Sequence, residues 1–174
     1  DFAIIGAGVI GTSTAYHLKR LLPNCRILLI DREKRAGSGN TARSTALFRN
    51  IFSSSTSRDL TTSSIEFYES LGKDIQCKTN GYLWLFSDEQ WDALAPARQT
   101  LNNKESGIEE LRDDQIHDLL PINTEPKDVL PNIGHGLFGH RCGSLSPIAL
   151  TQFYADGFSA MGGEIRLSTD VVAI

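Results

Sequence analysis

The sequence predicts an α/β chain, and three observations predict it. Two short apolar runs, Phe2–Ile5 and Arg26–Asp31, flank a stretch with helical spacing. A glycine-rich turn joins the first run to that stretch. Near the other end, a helix pattern opening at Ser146-Pro147 leads into a further strand pattern. Two apolar strands joined by an amphipathic helix make a βαβ unit, whose strands are parallel.

Taken in order, Phe2 to Ile5 reads as a buried strand because four apolar residues follow one another. Gly11 to Leu22 reads as a helix, with Ala15, Leu18 and Leu22 on one face and Pro23-Asn24 as its stop. Arg26 to Asp31 is the second strand and ends in a carboxylate. Arg32 to Arg43, rich in Gly, Ser, Asn and charge, is expected as loop. From Arg58 to Leu71 the spacing of Leu60, Ser64, Phe67 and Leu71 predicts a helix, with Ile65 and Tyr68 beside that face. Asn80-Gly81 signals a turn before the β-forming run Tyr82–Phe86. Glu89 to Asn103 is expected to be helical with a break near Pro96, and Asp113 to Leu120 a short helix ended by Pro121.

Thr124 to Gly136 reads as loop, and Leu137-Phe138 as the start of a strand. Ser146 then stands as an N-cap ahead of Pro147 at the first helical position. That helix should run to about Met161, with Leu150, Tyr154 and Phe158 on its apolar stripe and Phe153 widening it. Glu164–Leu167 and Asp170–Ile174 are strand candidates. Asp1 abuts the first strand and the last run lacks a successor, so these 174 residues are expected to be part of a longer chain.

Composition marks a globular chain, 40% hydrophobic and 22% charged. It contains neither an 18-residue apolar run nor the residue series of a signal peptide. Net charge is −4, yet residues 1–60 carry nine Lys and Arg against four Asp and Glu. The basic residues there, including Arg32, Lys34, Arg35, Arg43 and Arg49, suit a phosphate-bearing ligand, although any one of them reads equally as solvated surface. An acidic chain without a nucleic-acid module argues against nucleic acid as a partner. Cys25, Cys77 and Cys142 match no metal or redox spacing, which points to small buried hydrophobes in the cytoplasm or another reducing compartment. The four histidines lack metal-ligand spacing, so no metal residues are assigned.

Gly6, Gly8 and Gly11 form GxGxxG between a strand and a helix. The first glycine permits the sharp turn, the second lets backbone approach a diphosphate, and the third permits close helix–strand contact. The diphosphate would meet free N–H groups at the positive end of the helix. Asp31, 20 residues after Gly11, is placed to accept from ribose hydroxyls. Asp31 followed by Arg32 argues against NADP, although an arginine there could also attract the extra phosphate. NAD and FAD both use such a unit. An NAD domain would continue directly into another strand–helix pair, whereas this chain enters a Gly/Ser/Thr/Arg loop.

That loop, Gly37-Ser-Gly-Asn-Thr-Ala-Arg-Ser-Thr-Ala-Leu-Phe-Arg49, resembles the FAD-dependent D-amino-acid oxidase superfamily, especially its sarcosine oxidase and dimethylglycine dehydrogenase relatives. Thr14–Leu18, Leu29–Asp31, Ser64–Glu69, Gly143–Pro147, Gly162-Gly163 and Val171–Ile174 extend the resemblance. It implies a Rossmann-like FAD-binding domain with part of a second α+β substrate domain. Residues 1–75 and 141–174 would belong to the former, and residues 76–140 to the latter or to an inserted segment. It implies FAD as cofactor and assigns binding to Ser38, Thr41, Arg43, Ser44 and Thr45, with a backbone group at Val172 against the adenine. Arg49 resembles, loosely, an arginine near the substrate carboxylate, and a structural salt bridge is the alternative. The implied activity is oxidation of the carbon–nitrogen bond of an amino acid or N-methylated amine. A separate electron acceptor or another subunit is a possible partner. The alternatives are an FAD-dependent 2-hydroxy-acid or glycerol-phosphate dehydrogenase, and a non-catalytic FAD-binding subunit.

Overall fold

The computed structural model describes residues 1–101, 106–125, 128 and 131–173. Along the chain run β1 (Phe2–Ile5), α1 (Val9–Leu21), β2 (Ile27–Ile30), β3 (Leu47–Phe48), α2 (Ser55–Leu71), β4 (Tyr82–Phe86), α3 (Asp88–Ala93) and α4 (Ala95–Leu101). There follow β5 (Ile108–Arg112), α5 (Asp113–Leu119), β6 (His135–Gly139), β7 (Gly143–Ser144), α6 (Pro147–Ala160) and β8 (Glu164–Arg166). The chain divides into two compact units. One comprises Asp1–Ala46, Leu71–Cys77 and Leu145–Ile174, and the other comprises Leu47–Ser70 and Lys78–Ser144.

The first unit is a parallel sheet in the order β1-β2-β8. Phe2 pairs with Ile27 and Ile5 with Ile30, while Leu28 pairs with Glu164. Its core is Ala7, Ala15, Ile27, Leu29 and Phe158, so α1 and α6 cover one face of the sheet. The two helices approach closely because Gly157 faces the ring of Tyr16, where a Cβ would stand 2.6 Å from a ring carbon. Ser146 caps α6 by accepting from the Ala149 N–H, with Pro147 at the first helical position as expected. Leu150, Tyr154 and Phe158 are buried along its stripe.

Several expectations are corrected in this unit. β1 spans the predicted residues but is not buried: Phe2 is 44% and Ile5 54% exposed, because β1 lies at the sheet edge. On α1 the buried residues are Thr12, Ala15 and Lys19, while Leu22 is exposed. The Lys19 stem packs inward and its Nζ donates to the carbonyls of Pro23 and Cys25, tying down the helix end. Asp170 to Ala173 forms no strand. It continues instead from a backbone clasp in which Ser168 and Thr169 N–H donate to the carbonyls of Glu33 and Asp31.

The second unit carries an antiparallel sheet in the order β4-β6-β5 and a short β3–β7 pair. Its core collects Ile51, Trp91, Leu101, Leu137 and Cys142, with Tyr82, Trp84 and Phe86 against it. The expected break near Pro96 divides α3 from α4, and Ser87 and Gln90 form a capping box at the start of α3. Part of the helix expected up to Asn103 lies outside the described residues. The turn at Asn80-Gly81 has Gly81 at φ +81°, and a Cβ there would meet the Phe138 ring at 2.2 Å. β5 was not expected, since Ile108-Glu-Glu-Leu-Arg112 sets two adjacent carboxylates inside a strand.

On α2 the buried residue is Ile65, and Leu60 is 65% exposed, so the predicted face is rotated. β3 and most of α2 group by contact with the second unit. Tyr68 lies 5.8 Å from Phe48, and Glu69 pairs with Arg141 at 3.1 Å, both within that unit.

Candidate cofactor site

The glycine turn is fixed from both sides by hydrogen bonds that neighbouring segments provide. Gly6 takes φ +103°, a conformation that L side chains rarely adopt, and its N–H donates to the Ile30 carbonyl at 2.7 Å. Ala7 N–H donates to Asp31 Oδ2 at 2.5 Å, and Glu33 N–H donates to Asp31 Oδ1 at 2.8 Å. Asp31 therefore holds the glycine turn to the end of β2 through Oδ2, while Oδ1 fixes the chain just after the strand. Each oxygen keeps further lone-pair capacity, so the group can also accept from a ligand hydroxyl.

The loop after β2 closes the other side. A 3₁₀ turn over Asn40–Arg43 brings Thr41 against the start of α1, where its Oγ1 accepts from Val9 N–H at 3.0 Å. A Cβ on Gly8 would stand 3.0 Å from that same Oγ1. Gly8 thus makes room for Thr41 as well as for any diphosphate. The amides of Gly8, Ile10 and Gly11 have no acceptor among the described residues. They stand at the N-terminus of a 13-residue helix, where orphan donors and the helix dipole favour an anion.

A cavity of about 410 Å³ opens over this turn. It brings together the predicted residues Gly6, Gly8, Asp31, Arg32 and Thr41. It also takes in Glu33, Gly39, Asn40 and the returning segment Thr169, Asp170 and Val171, which sequence reasoning did not assign. The resemblance at Val171–Ile174 covers part of this returning segment: Val171 lines the cavity, and Val172 is 91% exposed. Gly11 is not in the lining. Its role is steric, since a Cβ there would stand 1.8 Å from the Gly6 carbonyl oxygen.

The other predicted residues are placed elsewhere. Ser38 lines a separate cavity with Arg35 and Asp156 and donates to the Arg35 carbonyl at 2.9 Å. Arg43, Ser44 and Thr45 are exposed, and Ser44 Oγ accepts from Ala46 N–H at 3.0 Å. Arg49 belongs to the second unit, where its guanidinium lies 4.9 Å from the Trp84 ring centre and 5.5 Å from that of Phe52. The basic excess of the first 60 residues does not gather at the cavity: among the described residues, Arg32 is the one Lys or Arg in its lining. Anion affinity there rests on backbone amides more than on side-chain charge.

The histidines are engaged structurally. His17 meets the rings of Tyr16 and Tyr154, and burial followed by Arg20 holds its pKa below the ordinary value. His135 stacks on Trp91 and pairs with Asp88, and His140 pairs with Glu109 at 2.9 Å. All three cysteines are free thiols, and burial raises the pKa of Cys142.

The comparisons agree with this geometry. The family described as FAD dependent oxidoreductase matches residues 1–174. Sarcosine oxidase subunit beta from Rhodobacter capsulatus is 24% identical, with all of this chain and 43% of that protein covered. L-proline dehydrogenase from P. horikoshii superposes with a TM-score of 0.84 at 18% identity, over 98% of this chain and 44% of that one. An FAD-bound L-alpha-glycerophosphate oxidase from Mycoplasma pneumoniae superposes at 0.77 and 19% identity, over 100% of this chain and 46% of that one. The chain spans less than half the length of the curated relatives it matches. Among the described residues, no helix is long and apolar enough to cross a membrane. With its parallel sheet, glycine turn and strand-end carboxylate, the chain belongs to the FAD-dependent oxidoreductase family related to D-amino-acid oxidase and sarcosine oxidase.

Proposed function

We propose that the complete protein oxidises the carbon–nitrogen bond of an amino acid or N-methylated amine, and that this chain holds the ribose and diphosphate part of its FAD. One observation carries the cofactor assignment: Asp31, Thr41 and Gly8, whose amide has no acceptor among the described residues, line one cavity. Asp31 accepts from ribose hydroxyls, with Arg32 beside it, and the amides of Gly8 and Ile10 meet the diphosphate. Thr41 Oγ1, which accepts from Val9 N–H, keeps its own proton for a phosphate oxygen. Arg43 takes its role against the diphosphate charge, the backbone near Ser44 and Thr45 its approach to the flavin ring, Ser38 its cofactor binding and the Val172 backbone its adenine contact from the family resemblance. Bound FAD supplies the redox chemistry, accepting a hydride equivalent from the carbon beside the substrate nitrogen.

The amine substrate class is supported by the match to sarcosine oxidase subunit beta across the whole chain. Arg49 is assigned to the substrate carboxylate. Two aromatic rings hold its guanidinium, and it has no carboxylate partner among the described residues, which weighs against a salt-bridge role. The likeness to a glycerophosphate oxidase supports a second reading, with a hydroxyl-bearing substrate. The free thiols support a reducing compartment.

Anaerobic absorbance spectra of the purified complete protein test the reading. An N-methyl amino acid should bleach the flavin bands, and lactate or glycerol phosphate should leave them unchanged. Bleaching by the hydroxyl substrates alone transfers the protein to the second reading. Flavin that no substrate reduces makes this a non-catalytic FAD-binding subunit. A protein that is colourless and takes up no added FAD overturns the cofactor assignment as well. At the residue level, Thr41→Val should weaken FAD binding about fivefold by loss of one neutral hydrogen bond, and Thr41→Ser should stay close to wild type. Flavin fluorescence quenching on reconstitution of the apoprotein measures both.

A further inference from the structure

One face of the β4-β6-β5 sheet carries an arginine on a tryptophan twice, and the two pairs differ in one component. Trp84 of β4 and Glu110 of β5 both lie opposite Leu137 of β6. Directly opposed residues share a face of an antiparallel sheet, so the three stand in one row. On that face the Arg98 guanidinium lies 4.0 Å from the centre of the Trp91 ring, and its Nη1 donates to Glu110 Oε2 at 3.0 Å. This pair is complete: a ring and a carboxylate satisfy one guanidinium together.

The second pair is Arg49 over Trp84, at 4.9 Å, with Phe52 at 5.5 Å on the same guanidinium. It has the rings but no carboxylate among the described residues. Glu110, the one carboxylate among the described strand residues of this face, is committed to Arg98. Everything around Arg49 is nevertheless held. Phe48, Asn50 and Ile51 are buried, while Arg49 is exposed. Asn50 Nδ2 donates to the Ser106 carbonyl at 2.7 Å, and its Oδ1 accepts from Cys142 Sγ at 3.3 Å. Tyr82 and Phe86 meet the Trp84 ring edge to face, at 6.0 and 6.3 Å.

We infer that Trp84 is a positioning residue for substrate recognition: its ring aims the Arg49 guanidinium, on which a substrate carboxylate takes the place that Glu110 takes on Arg98. This rests on the reading above in which Arg49 meets the substrate carboxylate. Ring contact leaves N–H donors of the planar fork free for a carboxylate. It also restricts a rotamer-rich side chain before the substrate arrives, which lowers the ordering cost of binding. Trp84 acts through Arg49 and needs no contact with the substrate itself.

Steady-state kinetics of the complete protein with an N-methyl amino acid that reduces its flavin test this. Trp84→Leu should raise KM about threefold to tenfold with kcat little changed, because the carboxylate contact is made equally before and during the reaction. Trp84→Phe, which keeps a ring face, should stay within about twofold of wild type. In an Arg49→Ala background, Trp84→Leu should have no further effect on KM, an outcome that loss of packing alone would not produce. Trp84→Met serves in the same comparison where Trp84→Leu does not retain flavin. An unchanged KM in the ring-less variants, or the same rise with and without Arg49, overturns the role of Trp84 and leaves that of Arg49 intact. A normal KM in Arg49→Ala, or a wild-type flavin that no N-methyl amino acid reduces, removes the substrate reading and this inference with it.

Discussion

Gly11→Ala should cost the complete protein its glycine turn, with a loss of about 3 kcal/mol or more in urea unfolding and little flavin retained on purification. The alanine Cβ would stand 1.8 Å from the Gly6 carbonyl oxygen and 3.0 Å from its carbon. Both atoms are backbone, so no rotamer change relieves the overlap. Either α1 slides or the turn opens. Sliding α1 disturbs the packing of Ala15 and Tyr16 against Phe158 and Gly157, and opening the turn breaks the bonds from Gly6 and Ala7 to β2. Total stability of a domain is commonly about 5–15 kcal/mol, so a loss of this size is a large share of it.

The other two glycines provide the internal control. Gly6→Ala meets no heavy atom within 4 Å, and its cost is conformational, about 1–2 kcal/mol, because φ is +103°. Gly8→Ala meets only the Thr41 hydroxyl, which a rotamer change can move, at the expense of the bond from Val9 N–H. Gly11 should therefore be the least tolerant of the three. A Gly11→Ala protein as stable as the Gly8→Ala protein would contradict this ranking.

This ranking could not be read from the motif. GxGxxG announces a turn, and in the structure its three glycines answer to three different constraints: a positive φ, the Thr41 side chain and the Gly6 carbonyl. Local signals were legible wherever one short segment decides the outcome. Phe2–Ile5 and Tyr82–Phe86 are strands as expected, and Ser146-Pro147 opens α6 as a cap followed by proline. Features set by distant partners were not legible. β5 pairs along β6 despite Glu109-Glu110, because strand pairing overrides a poor local pattern. Lys19 is buried because carbonyls of Pro23 and Cys25 await its ammonium group beyond the helix end. In the cavity, Gly6, Gly8 and Asp31 follow from spacing, and Thr41 from family resemblance. Thr169 and Asp170 join them only because the chain returns beside β2 after an excursion of more than a hundred residues.

Asp31→Asn should reduce FAD affinity by about tenfold to a hundredfold and also loosen the apoprotein. Wild-type Asp31 accepts from two backbone amides, Ala7 at 2.5 Å and Glu33 at 2.8 Å, one on each oxygen. Asparagine keeps the shape but has a single acceptor oxygen, so one of the two N–H groups must face an NH₂ group. Loss of a hydrogen bond to a charged group amounts to about 1.5–3 kcal/mol, and each 1.4 kcal/mol is a factor of ten in affinity. The bond to Ala7 ties β2 to the glycine turn, so its loss also releases the turn that presents the Gly8 and Ile10 amides. Affinity for a diphosphate should fall even when no ribose contact is at stake. Calorimetric titration of the apoprotein with FAD, adenosine and pyrophosphate separates the two contributions. If Asp31 acts on the turn as well as on the ribose, pyrophosphate, which has no ribose, loses affinity along with FAD and adenosine; if it acts on the ribose alone, pyrophosphate binding is unchanged. Equal binding of FAD by Asp31→Asn and wild type would show that neither the ribose nor the turn depends on this carboxylate.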